Sequence, residues 1–77
     1  MNLNIKYFGM LTEVTQCQEE TFLFSQSTVA DLLEALFSKY PLLEERDFQV
    51  AQMQTLVSKD TIISEVEIAL LPPFAGG

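Results

Sequence analysis

The chain carries little of the usual chemical equipment. It has no histidine and a single cysteine, Cys17. Histidine triads and dyads, thiolate metal sites and an internal disulfide are therefore excluded within it. Carboxylates are plentiful, and Glu19-Glu20 and Glu44-Glu45 stand as neighbours. Adjacent residues on a strand or loop do not converge on one substrate, so neither pair suits acid–base work. Cys17 has no base or cation beside it in sequence to lower its pKa, and reads as an inert thiol. There is no glycine-rich phosphate loop and no nucleophile elbow. The remaining chemical handle is the carboxylate of Gly77.

The approach to that carboxylate is unusual. Leu70-Leu71 runs straight into Pro72-Pro73-Phe74-Ala75-Gly76-Gly77, with no polar spacer. Paired prolines stiffen the exit from a fold and fit badly in a central strand. Two glycines carry no side chains and can thread a narrow channel. Extended, residues 72–77 reach about 20 Å. Residues 1–71 are thus expected to form one domain and 72–77 a flexible, extended Gly-Gly tail. Phe74 on such a tail calls for a partner surface.

Bulk properties bound the rest. Seventy-seven residues, 48% of them hydrophobic, make one small globule. Eleven acids against four bases give a net charge of −7. Lys6, Lys39, Arg46 and Lys59 are scattered, which argues against nucleic-acid binding. An acidic domain suits a basic protein partner. No signal pattern and no membrane-spanning apolar run is present, so the expected location is cytoplasmic.

The elements that must position the tail can be read in order. Leu3, Ile5 and Tyr7 alternate with Asn2, Asn4, Lys6 and Phe8, which predicts a half-buried strand with Phe8 on its opposite face. Gly9 permits a bend, and residues 10–18 read as a connection. Residues 20–24 form a second strand, hairpinned to the first, with Phe22 and Phe24 on one side. Val29, Leu32, Leu33, Leu36, Phe37 and Tyr40 recur at helix spacing. Thr28 is a good N-cap with Asp31 three residues on, Lys39 suits the last turn, and Pro41 stops the helix at Tyr40. Residues 42–47 read as irregular and 48–53 as a strand. Residues 55–57 and 61–63 are short apolar runs. Residues 66–71 form the last strand, with Val66, Ile68 and Leu70 inward and Glu67, Ala69 and Leu71 outward. Strand, strand, helix, strand, short pieces, strand fits an α+β β-grasp (ubiquitin-like) fold, a mixed sheet packed on one main helix, and other small α+β topologies fit the same string.

The ending from Glu67 to Gly77, the opening Ile5-Lys6-Tyr7-Phe8, the helix start Thr28-Val29-Ala30-Asp31-Leu32-Leu33 and the stop Tyr40-Pro41 together resemble the small, sulfur-carrier subunit of molybdopterin synthase. The Leu-Pro-Pro-x-x-Gly-Gly ending is the most specific part. Three places depart from the family: Glu65-Val66 for a common Gly-Asp, Gln52-Met53 for Val-Asn, and Thr12-Glu13 for Arg-Glu. The resemblance implies that an adenylating and sulfurating enzyme uses ATP to activate Gly77, which becomes a thiocarboxylate. It implies that Pro72, Pro73, Phe74, Ala75 and Gly76 thread into partner active sites. The main partner would be the large synthase subunit, in a heterotetramer, which uses the sulfur to build the dithiolene of the molybdenum cofactor. Phe8, Leu56, Leu71 and Phe74 would form the interface. The chain itself would supply no catalytic residue and bind no cofactor or metal. Other β-grasp carriers, for thiamin, cysteine or tRNA thiolation, and a non-covalent ubiquitin-like module are the alternative readings.

Overall fold

The computed structural model describes residues 2–25 and 28–73. Strand β1 (Asn2–Tyr7) alternates as expected: Leu3, Ile5 and Tyr7 are buried between more accessible neighbours. β2 (Glu19–Leu23) pairs with it antiparallel, placing Leu3 opposite Phe22 and Ile5 opposite Glu20. The connection between them is more than a loop. It holds a short helix, α1 (Leu11–Thr15), whose Leu11 and Thr15 are buried. Five residues are too few for a helical period to stand out in sequence, and Gln16 ends the helix in the left-handed region at φ 66.

α2 (Val29–Lys39) begins after the expected cap, Thr28, and ends one residue before Tyr40, which is its C-cap. The Thr28 hydroxyl accepts from the Asp31 amide at 3.2 Å, and the Asp31 carboxylate accepts in return from the Thr28 amide at 3.4 Å. Two otherwise orphaned amides are satisfied at once, a reciprocal box typically stabilising by about 1 kcal/mol. Beyond the helix, the stretch read as irregular coils into a 3-10 turn (Pro41–Glu45) with Leu43 fully buried. Proline at the first position is compatible with that turn, and Leu43 is the apolar residue it lowers onto the core.

β3 (Gln49–Gln52), β4 (Thr55–Val57) and β5 (Glu67–Leu71) complete a five-stranded sheet in the order β2-β1-β5-β3-β4. β5 is central, parallel to β1 and antiparallel to β3. This is the β-grasp, ubiquitin-like arrangement. One expected inward residue is not inward: Val66 is 56% exposed. β5 begins only at Glu67, and Val66 contributes its carbonyl oxygen, which accepts from the Asn4 amide at 2.7 Å.

The core lies between α2 and one sheet face. Leu3, Ile5, Ile68, Leu70 and Val50 meet Val29, Leu32, Leu33 and Leu36 there. Burying each such side chain stabilises by about 1.5–3 kcal/mol before entropy is subtracted. Gln52 also points to this side. Its carboxamide oxygen accepts from the Ser64 and Glu65 amides, at 2.8 and 3.3 Å, and fastens the loop before β5 to the sheet.

Candidate functional site

The sheet register decides which side chains share the uncovered face. Ile5 stands beside Ile68 and Tyr7 beside Leu70, so their sequence neighbours Lys6, Phe8, Ala69 and Leu71 project the other way. Leu71 faces Gln49 across β3, Ala69 faces Ala51, and Ala51 in turn faces Leu56 on β4. The result is a band across the sheet from Phe8 through Leu71, Ala69 and Ala51 to Leu56. Phe8 is 45% exposed and Leu56 57%. With Met53 they border one shallow hollow of about 410 Å³. Small alanines at the centre and larger apolar groups at the rim make a depression rather than a ridge. The Lys6–Glu67 ion pair, 3.3 Å, marks its polar margin.

The structure therefore brings Phe8, Leu56 and Leu71 to one face beside the strand that leads to the tail. Pro72 and Pro73 follow directly from that central strand, and both touch the domain. Gly9, at φ 60, lies so close beneath Pro72 that a Cβ built on it would sit 2.9 Å from Pro72 Cγ. The left-handed backbone and the close approach both require glycine there. Gln49 donates from Nε2 to the Pro73 carbonyl oxygen at 2.9 Å. Its Oε1 is buried and accepts no hydrogen bond among the described residues. Phe74, Ala75, Gly76 and Gly77, with their expected roles as interface, threading segment and reactive end, lie outside the described residues.

Neither Gly9 nor Gln49 is legible as a site residue in the sequence. Gly9 reads only as a bend, and Gln49 as one polar residue in an ambiguous strand. Cys17 is a free, half-buried thiol packed against the core edge. Among the described residues, no three histidine, cysteine or carboxylate side chains gather as metal ligands. Among the same residues no helix is long and apolar enough to cross a membrane.

A second polar cluster lies at the other end of the sheet. Glu20 accepts from the Tyr7 and Tyr40 phenols on Oε2, at 2.6 and 2.8 Å, and from Lys39 Nζ on Oε1, at 2.6 Å. Burial alone would raise the carboxyl pKa, but the hydrogen bonds from Lys39, Tyr7 and Tyr40 together hold it below the ordinary value. Burial and the Glu20 charge push the Tyr7 phenol far up, and the same two causes push Tyr40 up to about 12. The cluster ties the C-terminal end of α2 to β1 and β2.

Comparison with known proteins places this geometry. The sequence model of the ThiS family matches residues 5–77, nearly the whole chain. The chain belongs to the ThiS family. It is a β-grasp sulfur-carrier protein. A Pyrococcus furiosus protein provisionally assigned as molybdopterin converting factor, subunit 1, superposes with a TM-score of 0.87 at 20% identity, over 95% of this chain and 98% of that one. SAMP1 from Haloferax volcanii superposes at 0.81 with 25% identity over 100% of both chains. A second structure of the H. volcanii small archaeal modifier protein 1 gives 0.77 at 24% identity, over 94% of this chain and 97% of that one. In this ThiS-family chain Pro72 and Pro73 follow from the central strand, beside the apolar face.

Proposed function

We propose that this protein is the cytoplasmic sulfur-carrier small subunit of a molybdopterin synthase. The observation that carries the reading is the continuity of β5 into Leu71-Pro72-Pro73 and on to Gly76-Gly77, with the Phe8–Leu71–Leu56 face beside the exit. The chemistry needs little from the chain. The Gly77 carboxylate attacks the α-phosphorus of ATP on an adenylating enzyme, and pyrophosphate leaves. Sulfur at the sulfide level displaces AMP, giving a thiocarboxylate. A free carboxylate is a poor acyl donor, and adenylation supplies the leaving group that makes the exchange possible. The large subunit then takes the sulfur into a cyclic pterin precursor, and water restores the carboxylate. The tether holds the sulfur at high effective concentration in the partner's site. The uncovered apolar face would seat the body of the domain on that subunit, with Phe74 continuing the contact.

A second reading has support in the full-length likeness to SAMP1. The same activated Gly77 would then serve as a protein modifier, or as a carrier for another sulfur acceptor. Intact mass after incubation with ATP, an adenylating enzyme and a sulfur donor tests what the readings share: conversion to the thiocarboxylate adds about 16 Da. Adding a large synthase subunit and the pterin precursor then separates them. Loss of the added mass together with dithiolene formation is the expected outcome. A stable thiocarboxylate under those conditions would overturn the synthase assignment and leave the carrier assignment standing.

A further inference from the structure

The direction in which the chain leaves Pro73 is set by very few torsions. The rings of Pro72 and Pro73 fix φ at both residues near −65°. What remains at the root is ψ of each. Pro72 is seated against Gly9, so its ring and the chain that follows have little room to turn. The orientation of the Pro73 carbonyl is the orientation of ψ at Pro73, and that carbonyl is held by Gln49 Nε2 at 2.9 Å. One side-chain hydrogen bond therefore controls the torsion that sends residue 74 in one direction rather than another.

Gln49 is an odd residue to place there for stability. The hydrogen bond it makes is solvent-exposed, while its Oε1 is buried without a partner among the described residues. An exposed hydrogen bond contributes little, and a buried unsatisfied oxygen works against folding. A methionine of the same length would avoid that penalty. The donor is what methionine lacks.

We infer that Gln49 is a positioning residue for the carrier reaction: with Gly9 it holds the Pro72-Pro73 root in one orientation, so that the tail meets its partner enzymes already aimed. This rests on the carrier reading of Gly77. A tail root ordered before encounter removes an ordering penalty from association. Releasing it should weaken formation of the complex, whereas the chemistry after insertion should be unaffected.

The test uses Gln49→Met, which keeps length and loses the donor, and Gln49→Glu, which keeps shape and turns a charged acceptor toward the carbonyl. Carbon-13 relaxation at Pro73 reports the clamp directly, and thermal melting reports the fold. ATP–pyrophosphate exchange with an adenylating enzyme that charges β-grasp carriers reports function. Gln49→Met should raise the mobility of Pro73 without lowering the melting temperature. KM for the carrier should rise roughly tenfold at unchanged kcat, about the scale of ordering one more residue. Gln49→Glu should do the same or worse. Equal rigidity of Pro73 in the wild type and both variants, or an unchanged KM, overturns the inference. If the wild-type chain is never adenylated, the carrier reading fails with it, and the relaxation measurement still decides whether Gln49 holds the root.

Discussion

Tyr7 on β1 donates its phenolic hydrogen to Glu20 on the neighbouring strand at 2.6 Å, and the same carboxylate oxygen accepts from Tyr40 at the far end of α2. Three elements thus share one anion, and Lys39 neutralises it from the solvent side. In the sequence, Glu20 is one acid among eleven and Tyr40 one member of an apolar stripe. The structure turns both into the fastening between helix end and sheet.

Glu20→Gln should therefore destabilise the domain by about 2 kcal/mol, the scale of hydrogen bonds lost at a charged group. The pH dependence has a definite sign. Glu20 has a folded pKa below its ordinary value, so its contribution is complete above the normal glutamate range and is lost as pH falls through the folded value. Tyr40, pushed up to about 12, contributes fully below the ordinary tyrosine pKa, and that stability is lost as pH climbs through about 12. Urea melts of the wild type and Glu20→Gln from pH 3 to 7 should converge toward the acid end. Parallel curves would show that the cluster carries no linked stability.

The β3–β4 turn offers the opposite kind of change. Gln52 pairs with Thr55, leaving Met53 and Gln54 as a two-residue loop with φ of 50 and 70. That is the backbone of a type I′ hairpin, which strongly favours Asn-Gly. Neither Met nor Gln is suited to the left-handed region, which disfavours most L-residues by about 1–2 kcal/mol. The resembled family commonly has asparagine where Met53 stands, and the turn geometry supplies the reason. Met53→Asn with Gln54→Gly should stabilise by about 1 kcal/mol and raise the melting temperature by about 5 °C. A calorimetric scan checks it.

Much of this architecture could be read from local pattern. Alternation gave β1 its inner face at Leu3, Ile5 and Tyr7, and Thr28, Asp31 and Pro41 marked both ends of α2. Local pattern also put Phe8 and Leu71 out of phase with the core, where the structure finds them. It failed where tertiary packing makes the decision. α1 is one turn long and is held by burial of Leu11, and the 3-10 turn is held by Leu43. Val66 has the residue type of a strand interior, yet precedes the pairing that would bury it. The Gln49–Pro73 contact joins residues 24 apart, and only the antiparallel register that sets Gln49 opposite Leu71 brings them together. No sequence signal identifies such a pair.

The reactive end gives the simplest outcome. A chain capped as the amide at Gly77, or ending at Gly76, should show the same melting curve as the full chain, because the core closes at Leu70. Neither should gain about 16 Da with ATP, adenylating enzyme and sulfur donor, since the acyl group that activation requires is blocked or out of reach. Mass gain by the amide would place the chemistry on another residue.

The apolar face carries the last prediction. Phe8, Leu71 and Leu56 border one hollow, and Phe8 and Leu56 are too exposed to anchor the core. Exposed apolar groups gathered on one sheet face beside a functional exit are what a docking surface requires. On the synthase reading, Phe8→Glu would set a carboxylate in the apolar face that docks, on a domain that is already acidic. Binding to the large synthase subunit should weaken by roughly 30-fold or more, about 2 kcal/mol, if Phe8 is a central contact. The melting temperature should move little, because Phe8 is already 45% exposed. Leu71→Glu should weaken binding as much but cost more stability, since Leu71 is only partly exposed and pairs with Gln49 beside the tail root. Calorimetric titration against the large subunit, run with thermal melts of the same samples, separates the two effects. Full affinity in folded Phe8→Glu would remove this face from the interface and leave the tail as the main contact.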